Sequence, residues 1–226
     1  MTSFQIPDPL TLILLTAVLS MAPFFAIMAT SYVKLVVVLS LVRNALGIQQ
    51  IPPNMVLNGI AVILTIYIMA PVGQATFASV EQEDFKDFNA AKLRVVLEKG
   101  STPIREFLDR HTSSHEKKFF LDTARRVWGN ESKIEISDNS FFVLIPAFTV
   151  SELTSAFQIG FLLYLPFIAI DLIVSNILLA MGMMMVSPMT ISLPFKLLLF
   201  VLIDGWARLI HGLVLTYVIP AAGGGG

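Results

Sequence analysis

The sequence predicts an all-α integral membrane protein, with long apolar helices broken by proline and glycine around a small polar helical insert. Three observations carry that prediction. The 226 residues are 55% hydrophobic and only 14% charged, where a soluble domain carries about 25%, and mean hydropathy is +0.77. The charge is also concentrated: residues 81–140 hold 11 of the 15 Lys and Arg and 12 of the 16 Asp and Glu. Finally, several uncharged runs reach the roughly 20 residues that span a bilayer core of about 30 Å. The charges outside the insert are Asp8, Lys34, Arg43, Glu152, Asp171, Lys196, Asp204 and Arg208.

Other classes are excluded by the same arithmetic. A net charge of −1 offers no basic surface to nucleic acid. With no cysteine, there is no disulfide scaffold, thiolate metal site or cysteine nucleophile.

Residues 9–33 carry no charge, and Leu10–Ala29 is long enough to span. Pro7 and Pro9 suit a helix start, and Pro23 predicts a kink. The run lacks a basic leader and is too long for a signal-peptide core, so it reads as retained. Lys34 and Arg43 then bracket Leu35–Val42, and Gly47 with Pro52–Pro53 marks a break. Met55–Val80 is a second spanning run, with Pro71 and Gly73 predicted to bend its far end.

In the insert, Thr102 and Pro103 predict a helix start, and a second helix is expected from Ser114 to Trp128, ending at Gly129–Asn130. Phe107, Leu108, Phe119, Phe120, Leu121, Val127 and Trp128 are its candidate apolar face. Sixty residues make a marginal domain alone, so the insert should lean on a neighbour or on its own copies. A third apolar helix is predicted from Phe141 to Ser175 and a last one from Pro194 to Val218, with the methionine run between them. The organisation is thus 1–80, N-terminal apolar helices; 81–140, polar insert; 141–222, C-terminal helical hairpin; and 223–226, a glycine tail, native or left by a tag.

Glu152, Asp171, Lys196, Asp204 and Arg208 lie in or beside apolar helices. Each costs about 2.5–3.5 kcal/mol at a bilayer centre. A conduction pathway would use such charges, but mutual pairing within or between subunits is the cheaper state and the favoured reading. Asp204 and Arg208, four apart, are a candidate local pair. Met181, Gly182, Met183, Met184 and Met185 form a run closed by Ser187–Pro188. Methionine is an adaptable gap-filler; at a Gly/Pro break, several copies converging on an axis would instead make a dry, compliant seal. Composition leaves both open. His111 and His115 have helical metal-ligand spacing but no third ligand, so a solvated helix face is the better reading. Ala156 and Gly160 are a small-xxx-small pair that favours close helix approach. No phosphate loop, dinucleotide fingerprint, nucleophile elbow or zinc spacing is present. No cofactor or metal is expected.

Two stretches carry a family resemblance. Residues 31–65, SYVKLVVVLSLVRNALGIQQIPPNMVLNGIAVILT, and residues 144–206, from LIPAFTVSELTSAF through MGMMMVSPMTISLPFK to FVLIDGW, resemble the SctR/FliP family, the R component of the type III secretion export apparatus. The insert matches only in position and size. The resemblance implies a homo-oligomeric ring, of five copies in the family, that joins the S and T components. It also implies contacts with the U and V components, the inner rod or needle, and membrane lipid. Unfolded secreted proteins would pass through a constriction lined by Met181–Met185, with the insert on the periplasmic side of a Gram-negative inner membrane. The three basic residues Lys34, Arg43 and Lys196 agree weakly with that topology. The short leader favours the injectisome branch over the flagellar one. The expected function is therefore a non-enzymatic, pore-forming and gating subunit of protein export. Its rivals are a flagellar export gate subunit, a small-solute secondary transporter or channel, and an intramembrane enzyme.

Overall fold

In the computed structural model, residues 9–48, 50–81, 90–129 and 137–218 are described, and among them every regular element is helical. The helices are α1 Pro9–Met28, α2 Tyr32–Ala45, α3 Asn54–Glu81, α4 Ala90–His111, α5 Ser114–Trp128, α6 Phe141–Ala180, α7 Pro188–Leu202 and α8 Gly205–Leu215. Asp8, insert residues 82–89 and 130–136, and the tail 223–226 lie outside the described residues. By length and composition α3 and α6 qualify as membrane spans, and the count rises to four if the broken pairs α1–α2 and α7–α8 each make one. Several serines and threonines inside these helices are satisfied locally. Thr16 Oγ1 donates to Leu12 O at 2.7 Å, and Thr65 Oγ1 to Ala61 O at 2.7 Å. Such back-bonding lets an apolar helix carry a hydroxyl without an external partner.

The structure corrects three helix boundaries expected from sequence. α4 runs straight through Pro103, so Thr102 caps nothing. Proline withholds its N–H from the helical ladder, while Ser101 Oγ and Thr102 Oγ1 both turn back onto Glu98 O, at 2.8 and 3.3 Å. α6 continues past Ser175 to Ala180. The last apolar segment is two helices, not one: α7 starts at Pro188, where the missing N–H is harmless, and α8 is bent away from it by 60°. The expected bend near Pro71 does not divide α3, which is continuous.

The chain divides into two units, Met1–Val33 with Met69–Glu152, and Lys34–Ile68 with Leu153–Gly226. In the first, α4 and α5 pack on the opening turns of α6. Leu108, Val143, Leu144, Ala147 and Phe148 are fully buried. The Phe107 and Phe148 rings lie 5.8 Å apart, and Trp128 meets Phe142 edge-on at 5.8 Å. Phe119 and Val127 of the expected apolar face remain exposed. Lys117 of α5 bridges Asp109 of α4 and, at 3.6 Å, Asp138. Burial pulls the Lys117 ammonium down, but the hydrogen bond and charge of Asp109 and the charge of Asp138 outweigh it and raise its pKa above the ordinary lysine value. This tie is therefore complete at neutral pH and is lost only as pH climbs through that raised pKa.

In the second unit, α2 buries the stripe Leu35, Val38, Leu39, Val42 and Ala45, the spacing of a helix face turned to a core. α6 approaches it at Gly160, where a Cβ would lie 2.3 Å from Leu41 Cδ1; Ala156, one turn earlier, is fully buried. The α7–α8 break is packed rather than loose. Asp204 takes a left-handed φ of 52°, and Gly205 is buried against the Phe200 ring. That ring is held between Phe167 (6.3 Å) and Trp206 (5.3 Å, edge-on).

The elbow makes a specific prediction. A Cβ on Gly205 would sit 2.3 Å from Phe200 Cε2, and that ring is buried between Phe167 and Trp206. Gly205→Ala should destabilise the detergent-solubilised chain by about 1–3 kcal/mol, the usual range for overpacking. Gly59→Ala, in the interior of α3, meets nothing within 4 Å and should leave the thermal midpoint unchanged or slightly raised. Equal midpoints for the two variants would refute the packed elbow.

Candidate functional site

The methionine run closes the α6–α7 hairpin as a defined turn. Gly182, at φ 71°, ends α6 in the left-handed conformation. Its N–H donates to Leu179 O at 3.0 Å, and the Met183 N–H reaches back to Leu178 O at 2.9 Å. These are the two bonds of a Schellman stop, which satisfies the last helical carbonyls. Val186 N–H then donates to Met183 O at 3.3 Å, and α7 begins with Ser187 and Pro188. The backbone of the turn is thus fixed while its side chains face outward. Met181, Met183 and Met184 are exposed, and Met185 is fully so.

Below the turn, three helices meet at one cation. Lys196 of α7 is 2% exposed. Its Nζ donates to Asp171 Oδ2 of α6 at 2.6 Å and to Ala45 O at 3.4 Å. Ala45 ends α2, so the ammonium sits at the negative end of that helix dipole. Ser192 Oγ, fully buried, donates to the other carboxylate oxygen, Asp171 Oδ1, at 2.6 Å. Asp171 lies nine residues before the end of α6 and Lys196 eight residues after the start of α7. The pair therefore cross-ties both legs of the hairpin at about the same depth, roughly 12–14 Å from the turn at 1.5 Å per residue.

The remaining sequence-predicted residues fall in different environments. Glu152 is buried at 2% and is engaged rather than unpaired. Asp204 and Arg208 are exposed in the single chain, and among the described residues they do not make the local ion pair that their spacing offered. The reason is local. Asp204 is the N-cap of α8: its carbonyl accepts the first helical bond, from the Arg208 N–H at 3.0 Å, but its left-handed φ of 52° departs from the helical backbone that i,i+4 side-chain pairing assumes. His111 and His115 are likewise separated, because α4 ends at His111 and α5 begins at Ser114. His111 Nδ1 lies 2.9 Å from Phe107 O, and His115 stands beside Glu116 at 3.1 Å. Among the described residues no three potential ligands cluster for a metal.

Three contributors escaped the sequence reading. Ser192 lies one turn before Lys196 on the same face, so its role was legible in the i,i+4 spacing. Arg43 Nη1 donates to Pro52 O at 3.2 Å and Asn54 Oδ1 at 2.5 Å, closing the α2–α3 turn; basic residues in the last turn of a helix signal such capping. Lys34 is 5% exposed, with its ammonium 4.3 Å from the Tyr217 ring, a cation–π contact that no local pattern announces.

Long apolar helices, an apolar exterior and charge held in a few engaged side chains define a helical membrane protein. Residues 14–213 match the FliP family, and the chain belongs to it. It is similar to "Yop proteins translocation protein R" of Yersinia pestis, 55% identical over 213 residues, which is 94% of this chain and 98% of that one. "Hypersensitivity response secretion protein HrcR" of Ralstonia nicotianae is 50% identical over 92% of this chain and 96% of its own length. "Virulence protein YscR" of Salmonella typhimurium is 48% identical over 94% of this chain and 99% of its own.

The buried pair has unequal halves, and that asymmetry is testable. Removing Asp171 strands a cation that water barely reaches. Removing Lys196 leaves a carboxylate whose side chain is 36% exposed and still bound by Ser192. Asp171→Leu should therefore cost about 3–5 kcal/mol, the range for an orphaned buried charge, and Lys196→Met distinctly less. The double variant should recover much of the loss. The check is denaturant or thermal unfolding in detergent; equal losses in the two single variants would contradict the asymmetry.

Proposed function

We infer that the chain is a core, pore-forming and gating subunit of a type III protein secretion export apparatus, and that it is not an enzyme. The single observation that carries this reading is the exposed methionine turn held by a fixed backbone on a cross-tied hairpin, in a chain of the FliP family. The relatives are named for Yop translocation, hypersensitivity-response secretion and virulence, which favours the injectisome branch. Several copies, five in the family resemblance, form a ring with the S and T components, adjoining the U and V components and the inner rod or needle. Met181–Met185 from each copy converge on the path of an unfolded secreted protein. Thioethers on rotatable stems fill an irregular gap and yield to a passing chain. Closed, they leave no polar group to carry ions. Glu152, the Asp171–Lys196 tie and the Ala156–Gly160 contact keep the helices in register.

The location follows the same reading: the inner membrane, with the assembly and the 81–140 insert projecting to the periplasmic side. The length of α6 supports it. Forty residues make a rod of about 60 Å, twice a hydrocarbon core of about 30 Å. Lipid alone cannot cover such a helix.

Replacing Met183, Met184 and Met185 together by alanine tests the gate. The expected result is a several-fold rise in small-solute permeability of cells carrying the complete apparatus. Native mass spectrometry of the purified complex should show unchanged subunit composition. Unaltered permeability would sink the seal, and loss of the complex would make the turn an assembly contact instead.

A further inference from the structure

The second unit holds six charged side chains: Lys34, Arg43, Asp171, Lys196, Asp204 and Arg208. Four are occupied within the chain. Lys34 lies over Tyr217, Arg43 binds Pro52 O and Asn54, and Asp171 and Lys196 pair with each other. One acid and one base are left over, Asp204 and Arg208. Both are exposed, and neither has an ion-pair partner among the described residues. They stand beside large exposed apolar side chains, with Val201 71% and Leu202 72% exposed just before the break, and His211 is also exposed on α8. α8 is two-sided: Gly205, Leu209 and Leu213 face inward, while Arg208, Gly212 and Leu215 are exposed. A Cβ on Gly212 would meet nothing within 4 Å, so this face has room for a close neighbour.

We propose that this face of α8 docks a second copy of the chain, with Asp204 of one copy paired to Arg208 of the next. The left-over charges are opposite in sign and equal in number, so the face is complementary to itself. Within one chain the two side chains do not pair, Asp204 standing as the left-handed N-cap of α8. A lipid phosphate would satisfy Arg208 but repel Asp204, whereas a second copy satisfies both. In a dry apolar contact, such a pair also sets the register between copies, since a slipped neighbour would bury both charges unpaired. The proposal rests on the multi-copy reading above and names the contact that holds neighbouring copies together.

The chain contains no cysteine, which makes cross-linking clean. Asp204→Cys and Arg208→Cys chains with different tags would be co-expressed with the remaining apparatus. They would then be treated with a short bifunctional maleimide, because ion-paired backbones stand further apart than a disulfide allows. A cross-linked dimer carrying both tags is expected, with little from either single variant alone. In parallel, Asp204→Arg or Arg208→Asp should deplete the oligomer on native mass spectrometry, and the doubly reversed chain should restore it. An intact oligomer without the mixed cross-link, or reversals without effect on its amount, would overturn this contact while leaving the multi-copy reading in place. A wild-type chain that never forms an oligomer would overturn both.

Discussion

Lys196 is withdrawn from water at 2% exposure, and the arrangement of three helices follows from that one burial. An ammonium out of water loses several kcal/mol of hydration, which only charge and hydrogen bonds restore. α6 supplies the charge through Asp171, α7 orients that carboxylate with its own Ser192, and α2 offers its final carbonyl. A well-packed apolar substitute for such a pair is often equally stable, so the pair is better understood as register than as strength. α6 and α7 are apolar on nearly every side. Two such helices can rotate or slide against each other at little cost, because one face packs much like another. A single pair of opposite charges removes that freedom, since any other rotation would bury each charge alone.

The exterior carries the complementary constraint. α3 and α6 leave most of their spanning windows uncovered, and large apolar side chains such as Tyr67, Leu162 and Val201 are exposed. In water this surface would drive aggregation. Lipid covers part of it, but a helix of 40 residues outruns one hydrocarbon core. Part of the excess is already covered by α4 and α5, which pack on the opening turns of α6 and bury Val143, Leu144, Ala147 and Phe148.

The sequence displayed the long apolar helices because their signal is composition, which tertiary context does not overturn. α1, α3 and α5 begin and end within a residue or two of expectation, at Pro9, Asn54 and Gly129, where cap and breaker chemistry is strong. The misplaced ends had conflicting local signals. Pro103 suggested a start, yet tertiary packing carried α4 through it, with Ser101 and Thr102 turning back onto Glu98. The α7–α8 elbow was invisible because its cause is not a helix breaker in the usual sense. It depends on Asp204 accepting a left-handed φ and on a glycine lying against a ring five residues earlier. In the site, the chemical types were legible and the partners were not. Asp171 and Lys196 announced themselves as costly charges, but the Ala45 carbonyl, 151 residues from Lys196 in sequence, carries no side-chain signature at all. The seal reading of the methionines rests on family likeness joined to their exposure, since methionine alone marks a filled core equally well.

The division between a stiff backbone and pliant side chains is what a chain-admitting gate requires. If compliance resided in the backbone, each opening would break turn hydrogen bonds and leave apolar-phase carbonyls unsatisfied. The Schellman bonds from Gly182 and Met183 keep those carbonyls occupied. In the proposed gate the Asp171–Lys196 tie would fix the legs below and leave motion to thioether rotamers, which interconvert rapidly when exposed. Leucine would fill the same volume, but its branched stem has fewer shapes to offer. Alanine would leave the opening unfilled. On the proposed reading, a left-handed residue at position 182 and flexible side chains at 181 and 183–185 are two parts of one gate, in which glycine would hold the turn still so that methionine alone had to move.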